Sequence, residues 1–265
     1  MGIVNVTPDS FSDGGAFLDV DAAVQHGREL VRQGADLLDI GGESTRPGAH
    51  PVCAEEEIRR VIPVIRRLRK LCPDVLISID TSKARVASES VEAGADIVND
   101  VTAGTGDPDM LDRVAATPAG YILMHMRGIP RSMQNSPDYS DVTAEVLAYL
   151  NERVEAAVAA GINRERLAVD PGIGFGKTLE HNLTLLAGLP AFASLNRPLL
   201  LGVSRKRWLG ELTDRPVDQR LAGSLAGAAA CIERGAHILR VHDVAQTRDV
   251  IQVIDTIKRT ETAEG

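Results

Sequence analysis

Eight short apolar runs recur along the chain, and each ends near a polar or charged side chain that precedes a helix-like stretch. A strand that is apolar throughout is buried on both faces, as in a parallel sheet covered by helices. Eight such strands alternating with helices predict an α/β protein of the (β/α)8 TIM-barrel class, with its active site at the carboxyl ends of the strands. The predicted strands are 2–5, 37–41, 76–80, 97–100, 121–125, 167–170, 199–204 and 238–242.

The length of 265 residues suits such a barrel as one domain over residues 1–265, because no linker rich in Pro, Ser or charge interrupts it. The chain starts almost directly at its first strand, so we expect a short native segment before that strand. Hydrophobic residues make up 44% and charged residues 25%, which is the balance of a soluble globular protein. The sequence contains no apolar run of membrane-spanning length and no secretion signal, which predicts no membrane partner.

Charge and cysteine content narrow the function classes further. A net charge of -8 argues against nonspecific nucleic-acid binding, which requires a clustered basic surface, but a local cationic pocket for an anionic substrate remains compatible with it. Cys53, Cys72 and Cys231 are odd in number and widely spaced, so they predict neither a fully paired disulfide framework nor a CxxC metal motif. We therefore expect a reducing, cytoplasmic location.

A weak internal repeat supports the barrel. Gly34, Gly94 and Gly235 each follow a helical stretch and precede an apolar strand, which suits a left-handed helix C-cap. The helix predicted over 55–71 has one apolar face, and its basic side chains are interpreted as a solvated face rather than a binding patch; these are Arg59, Arg60, Arg66 and Arg67. The long connections are interpreted as functional, mobile loops and cover 7–20, 42–52 and 127–141.

The stretch 170–178 (DPGIGFGKT) almost matches the phosphate-binding GxxxxGK[ST] loop. Pro171 stands where the first glycine should be, and the stretch follows a late strand rather than the first strand of a nucleotide fold. We therefore reject a nucleotide triphosphatase. The glycines predict instead a close approach of the backbone to a flat ligand.

Asp80, Asn99 and Asp170 end the third, fourth and sixth predicted strands, so all three should point into one mouth. Carboxylates and an amide can accept the paired N–H donors of a planar heterocycle such as a pterin. Two alternatives remain open at this point. The three side chains could be helix N-caps or satisfied structural carboxylates, or they could bind a metal, although no His-rich spacing accompanies them.

Basic residues follow the last two strands, where barrels commonly form a phosphate site. They are Ser204-Arg205-Lys206 and the pair Arg240 and His242, which alternation places on one side so that both can meet one anion. Asn5 ends the neighbouring first strand, and a neutral oxygen donor beside a diphosphate suits Mg²⁺. His125 is equally consistent with barrel packing and with function. The composite site favours displacement of a diphosphate by a neutral nucleophile.

These residues resemble the dihydropteroate synthase family over essentially the whole chain. The motifs that carry the resemblance are 5–15 (NVTPDSFSDGG), 42–48 (GESTRPG), 78–81, 99–100, 123–126, 170–175, 204–206 and 240–243. The resemblance implies condensation of 6-hydroxymethyl-7,8-dihydropterin diphosphate with p-aminobenzoate in folate biosynthesis, which gives 7,8-dihydropteroate and pyrophosphate. It also implies a cytoplasmic transferase that binds Mg²⁺, forms a homodimer and is inhibited by sulfonamides.

The resemblance further implies a role for individual residues. The pterin would be bound by Asp80, Asn99, Met124, Asp170 and Lys206. The diphosphate would be held by Thr45, Arg46, Arg240 and His242, with Asn5 as the Mg²⁺ ligand. The p-aminobenzoate slot would be formed by Phe11, Pro47, Phe175, Ser204 and the Lys206 stem. The residues expected to act in catalysis are Asp9, Arg46, Asp80, Asp170 and Lys206.

In chemical terms, loss of diphosphate from a carbon on the electron-rich dihydropterin can proceed through a cationic, SN1-like state that the Asp170 and Asp80 carboxylates would stabilise. Two rival functions are considered. A methyltetrahydrofolate-dependent corrinoid methyltransferase would need no diphosphate clamp, and a catalytically silent pterin-binding paralogue would bind without turnover. For the dimer, the apolar stretch 221–232 is a candidate interface, and packing of this helix against the barrel is the alternative.

Overall fold

The computed structural model describes residues 1–6, 16–44, 51–128, 133 and 137–263, with only the backbone described for 16–19 and 261–263. Strands and helices alternate along the chain. The strands are β1 Gly2–Asn5, β2 Leu37–Gly41, β3 Leu76–Asp80, β4 Ile97–Asp100, β5 Gly120–Met124, β6 Leu167–Asp170, β7 Leu200–Leu201 and β8 Ile238–Leu239. The helices are α1 Ala16–Arg32, α2 Ala54–Leu71, α3 Ala84–Glu92, α4 Met110–Ala115, α5 Val142–Ala159, α6 Leu179–Ala187, α7 Arg207–Thr213, α8 Leu221–Glu233 and α9 Val244–Ala263.

All the strand pairings are parallel, and together they form a ring. Strands β1 to β6 hydrogen-bond in sequence order, and β7 pairs with β8. Two isolated bridges join these groups, one between Val169 and Leu199 and one between Gly2 and Val241. The Val169 amide donates to the Pro198 carbonyl at 2.9 Å, and the Ile3 amide donates to the Val241 carbonyl at 3.1 Å. The predicted (β/α)8 TIM barrel is therefore confirmed.

The last two strands are shorter than the predicted 199–204 and 238–242. Arg205 has φ 57°, a left-handed conformation that cannot continue a strand. Beyond β8, the His242 amide finds the Ser204 hydroxyl at 3.2 Å in place of a ladder carbonyl. Side-chain bonding thus replaces regular pairing where the barrel opens into its mouth.

Two other boundaries differ from the sequence predictions. The connection expected over 7–20 ends at residue 15, because α1 begins at Ala16 and the sequence there contains no Gly or Pro that would end a helix. The Arg60 side chain was expected to face water. It is instead half-buried, and its Nη1 donates to the Gly42 carbonyl at 2.8 Å, which ties α2 to the end of β2.

Apolar side chains fill both layers of the barrel. The predicted apolar face of α2 is buried through Val61, Ile62, Ile65 and Leu68. Ile122 is the register partner of both Asn99 and Ala168, so it faces the inside of the ring, where it packs with Ala168 and Leu200. Within the described residues, no helix has the length and apolar character needed to cross a bilayer.

The three predicted glycine C-caps are confirmed, with φ of 94° at Gly34, 116° at Gly94 and 93° at Gly235. An ideal Cβ placed on Gly235 would meet no atom within 4 Å, so an alanine there tests backbone strain without a steric clash. We expect Gly235→Ala to lower the free energy of unfolding by about 1 kcal/mol, because L residues are disfavoured in the left-handed region. Urea denaturation measures the change.

Gly120→Ala is the matched control. Its φ is not positive, and its Cβ would make ordinary contacts at 3.4 Å or more. Equal stability of Gly235→Ala and the wild type would contradict the requirement for a left-handed cap.

Candidate active site

A pocket opens at the carboxyl ends of the strands, where the sequence analysis predicted it. Seven predicted residues line it: Asp80, Asn99, Met124, Asp170, Phe175, Lys206 and Arg240. Val101, Ile173 and Gly202 also line it and were not predicted. The lining residues come from six different strands or the segments that follow them, β3 to β8, so the closed ring is what brings them together.

Arg240 organises the floor of this pocket. Its Nε donates to Asp39 Oδ2 at 2.6 Å, and its Nη2 donates to Asp80 Oδ2 at 2.8 Å. Asn99 Nδ2 also donates to Asp39 Oδ2, at 3.2 Å. Asp39 is fully buried, and it therefore holds two of the predicted site residues with one carboxylate. Asp39 was not among the predicted site residues, although its charge in the middle of the apolar run 37–41 was a signal of a special role.

Burial shifts the ionisation of the groups in this pocket. Desolvation raises the pKa of Asp80 to about 7; the Arg240 charge opposes this shift, and the Asp39 charge adds to it. Desolvation also raises the pKa of Asp170, against the Gly172 amide that hydrogen-bonds its carboxylate. The pKa of Lys206 is lowered to about 8 by burial and by Arg240. A ligand that donates N–H groups to these two carboxyl groups would favour their ionised forms.

The loop after β6 wraps closely around the pocket. Gly172, Gly174 and Gly176 all have positive φ, and a Cβ on Gly172 would lie 1.9 Å from the His125 carbonyl oxygen. Asp170 Oδ1 accepts the Gly172 amide at 2.7 Å. The glycines therefore serve close backbone packing between the loop and the end of β5, consistent with rejecting a phosphate loop. The Phe175 ring lies against Lys206, with Nζ 4.2 Å from the ring centre.

The predicted anion residues divide into two groups. Lys206 and Arg240 line the pocket, whereas Ser204, Arg205 and His242 do not. Ser204 Oγ lies 3.1 Å from His242 Nδ1, and Arg205 Nε donates to Asp243 Oδ2 at 3.0 Å. Burial, together with Arg205 and Arg240, lowers the pKa of His242 to about 4, so this imidazole is neutral at pH 7. It would thus meet an anion as an N–H donor rather than as a cation. The expectation that Arg240 and His242 share one anion stays a prediction, because Arg240 also binds Asp39 and Asp80.

Asn5 lies at the same mouth, at the end of β1. A Cβ built on Gly41 would lie 3.8 Å from Asp80 Oδ2 and 3.9 Å from Asn5 Oδ1, so these two oxygens flank Gly41. The Asn5 amide oxygen is a hard neutral donor, which fits Mg²⁺ bound mainly by waters and phosphate oxygens. In the described part of the chain no group of three His, Cys, Asp or Glu residues could hold a metal.

One alternative for Asp80, Asn99 and Asp170 was that they cap the helices that follow them. The N-caps of α3, α4 and α6 are Lys83, Asp109 and Thr178, so Asp80, Asn99 and Asp170 are not helix caps. His125 does not line the pocket; it is buried behind it, with Nδ1 2.9 Å from Lys177 Nζ. The predicted residues Asp9, Phe11, Thr45, Arg46 and Pro47 lie outside the described residues, so their roles stay predictions.

Replacing Asp39 by asparagine tests the electrostatics of the pocket floor. We expect Asp39→Asn to lower the pKa of Asp80 by about one unit or more, because a like charge is lost and Arg240 is left to pair with Asp80 alone. Carbon-13 NMR titration of the carboxyl groups measures the pKa, with Asp80→Asn to assign the resonance. Asp36→Asn, at an exposed carboxylate, is the control. An unchanged Asp80 pKa in Asp39→Asn would contradict the electrostatic coupling of the two carboxyl groups.

Comparison with known proteins agrees with this geometry. The sequence model described as "Pterin binding enzyme" matches residues 1–242. The dihydropteroate synthases of Escherichia coli K12 and Haemophilus influenzae are 48% and 46% identical to this chain, over 96% of it and over 90% and 91% of their own lengths.

Solved structures show the same relationship. A Xanthomonas albilineans dihydropteroate synthase with 4-aminobenzoic acid superimposes with a TM-score of 0.92 at 52% identity, covering 97% of this chain and 92% of that one. A structure of the enzyme from the same organism in complex with 7,8-dihydropteroate has a TM-score of 0.88 at 49% identity, with the same coverage. This chain therefore belongs to the pterin binding enzyme family and, within it, to the dihydropteroate synthases.

Proposed function

We propose that the mouth of this barrel condenses 6-hydroxymethyl-7,8-dihydropterin diphosphate with p-aminobenzoate, giving 7,8-dihydropteroate and pyrophosphate for folate biosynthesis. The observation that carries the proposal is the convergence of Asp80, Asn99, Asp170 and Lys206 on one pocket. Four groups of this kind offer acceptors and a donor in one place, as a planar heterocycle with both kinds of edge requires. The relatives' names and the product-bound neighbour support the same reaction.

The pterin would lie between the acidic strand ends and Lys206. Asp170 and Asn99 would take its N–H donors, Lys206 would donate to its carbonyl or ring nitrogen, and Met124 would pack against its face. Binding of N–H donors favours the ionised forms of Asp80 and Asp170, whose pKa values burial raises in the free protein. Two carboxylates at this place would stabilise positive charge that develops on the ring as the C–O bond to diphosphate breaks.

Departure of the diphosphate needs positive charge and hydrogen-bond donors at the other end of the mouth. We assign this role to Arg240 and His242, with Thr45 and Arg46 from the loop between β2 and α2. Asn5 would hold Mg²⁺, which supplies charge stabilisation to the leaving oxygens when it is bound. The neutral His242 imidazole would donate its N–H to a diphosphate oxygen without adding a positive charge that repels the cation. Pyrophosphate leaves with the electron pair of the broken C–O bond.

The arylamine would bind beside Phe175, with Ser204 and the Lys206 stem, and with Phe11 and Pro47 from the loops after β1 and β2. Its nitrogen then forms the new C–N bond and loses a proton. An arylamine is neutral at pH 7, so no strong general base is required. Support for this slot comes from the Xanthomonas albilineans neighbour with 4-aminobenzoic acid and from a Yersinia pestis dihydropteroate synthase with a sulfonamide drug complex, which has a TM-score of 0.92 at 46% identity.

The two rival functions are distinguishable from this reaction. A corrinoid methyltransferase would gain nothing from the basic groups after β7 and β8, and the relatives at 46–48% identity carry the synthase name. A silent paralogue would bind the pterin diphosphate without releasing pyrophosphate. Turnover therefore separates the silent paralogue from the synthase in one experiment.

A cytoplasmic homodimer completes the proposal. The three cysteines are free, which suits a reducing compartment. Helix α8 buries Ala228 and Cys231 against the rest of the barrel, so the inward packing of this helix accounts for one of its faces. Exposed apolar side chains at Val253 and Ile257 of the adjacent α9 favour an interface on this side, and light scattering would report the mass.

We expect the purified chain to release pyrophosphate and form dihydropteroate in equal amounts from the two substrates, and to lose this activity when Mg²⁺ is chelated. Asn5→Ala should raise the Mg²⁺ concentration needed for half-maximal rate by about tenfold, the usual order for loss of one oxygen ligand or its support. Pyrophosphate release and product formation are followed together.

Two outcomes would contradict these assignments. Tight pterin diphosphate binding without turnover would indicate the silent paralogue. An unchanged Mg²⁺ requirement in Asn5→Ala would remove Asn5 from the metal site while leaving the reaction itself in place.

Sulfonamides should compete with p-aminobenzoate, because both are flat para-substituted arylamines with an anionic or polar end. We expect an inhibition constant within about tenfold of the p-aminobenzoate Michaelis constant. Two arylamines that use the same contacts should differ in binding free energy by no more than about 1.4 kcal/mol, which corresponds to a tenfold difference in affinity. Initial rates at varied p-aminobenzoate measure it. Noncompetitive inhibition, or an inhibition constant far above the Michaelis constant, would contradict the shared slot.

A further inference from the structure

Lys177 is a buried lysine that the proposed reaction does not use. It is 3% exposed, and its ammonium group meets three acceptors: His125 Nδ1 at 2.9 Å, the Gly172 carbonyl at 2.9 Å and the Phe175 carbonyl at 3.0 Å. A lysine ammonium has three N–H donors, so each one has a partner. Burial lowers the pKa of Lys177 to about 7, and Asp170 opposes that shift. Such complete satisfaction indicates a structural purpose for this side chain.

His125 is the fixed end of this contact. Burial and the nearby Lys177 lower its pKa to about 3, so the imidazole is neutral and offers Nδ1 as an acceptor. The ring is also packed edge-on against Tyr149, with the ring centres 4.9 Å apart. It directly follows β5, whose Met124 lines the pocket. His125 therefore anchors Lys177 to the rigid ring of strands.

The other end of the contact is the loop 171–176. Lys177 holds two of its carbonyls, the Gly174 amide donates to Asn182 Oδ1 at 2.7 Å, and Tyr139 Oη donates to the Gly176 carbonyl at 2.9 Å. Phe175 is the aromatic residue of this loop, and it lines the pocket. Lys177 donates directly to its carbonyl. Loss of the lysine would remove the side-chain contacts to the Gly172 and Phe175 carbonyls, whereas the amides of Gly172 and Gly174 would keep their side-chain partners.

We propose that Lys177, held by His125, is a positioning residue for the arylamine half of the site, fixing the loop 171–176 so that the Phe175 ring faces Lys206. The inference rests on the proposed function, since it assigns p-aminobenzoate to the side of the pocket formed by Phe175. It assigns no contact between Lys177 and either substrate. The pterin half depends on Asp80 and Asn99, which Arg240 and Asp39 hold, and on Asp170, which lies in β6 before the loop begins.

The test is a comparison of steady-state kinetics with substrate binding. Lys177→Met keeps an unbranched side chain that is one heavy atom shorter, and it removes all three donors. At saturating pterin diphosphate we expect the p-aminobenzoate KM to rise about tenfold, with kcat and the Kd for pterin diphosphate within about threefold of wild type, as for lost binding of one substrate. Calorimetric titration measures that Kd. Lys70→Met, at an exposed lysine of α2, is the control for removal of a lysine charge.

Variants of His125 keep the proposal testable if Lys177→Met does not fold. An asparagine oxygen can take the place of Nδ1 as the acceptor, so His125→Asn should retain the wild-type KM, whereas His125→Leu should reproduce the raised KM.

An unchanged p-aminobenzoate KM in Lys177→Met, or equal losses in the binding of both substrates, would overturn the proposal. So would a His125→Asn enzyme as impaired as His125→Leu. Absence of turnover in the wild-type protein would contradict the proposed function instead.

Discussion

The pocket depends on the charge of Arg240 being neutralised inside the ring. Its guanidinium group bridges Asp39 of β2 and Asp80 of β3. Arg240 itself follows β8 and lies 201 and 160 residues from them in sequence. Removal of one member of a buried ion pair costs about 3–5 kcal/mol, because the remaining charge is left without a partner. The three side chains therefore require one another, and the requirement can be met only when β8 lies beside β1. Closure of the barrel and assembly of the site are a single event.

The same arrangement helps to explain the unusual pKa of the buried Asp80 carboxyl group. One cation serves two carboxylates, so neither carboxylate has a full counter-charge, and burial then raises the pKa of Asp80 to about 7. A ligand that donates N–H groups to Asp80 would stabilise the ionised carboxylate, which Arg240 stabilises only in part. The site thus holds unsatisfied acceptor capacity in its free state, which is how a protein can favour a charge-poor, donor-rich heterocycle over water.

Much of the fold and part of the site followed from local pattern alone. Buried strands and glycine caps are properties of short windows, and Asp80, Asn99 and Asp170 stood out because each ends such a window. Asp39 stood out only as a charge inside an apolar run, because its role depends on Arg240, a partner 201 residues away that no local pattern identifies. The role of Lys177 was hidden for a related reason. Its spacing to the glycines imitates a phosphate loop, whereas its ammonium points inward to His125.

The ring is not equally strong around its circumference. Strands β1 to β6 share continuous ladders, whereas the quarter made of β7 and β8 is attached on each side by an isolated bridge. These two attachments are seams, and local opening costs least where few backbone bonds must break. Arg240 and His242, which are assigned to the diphosphate, follow β8 in this weak quarter. Asp80, Asn99 and Asp170, which are assigned to the pterin, lie at the ends of strands in the continuous ladder. A substrate that contacts both parts of the ring would hold β7 and β8 against their neighbours. Binding of the molecule that is to react would thus also stabilise the barrel where its backbone pairing is weakest.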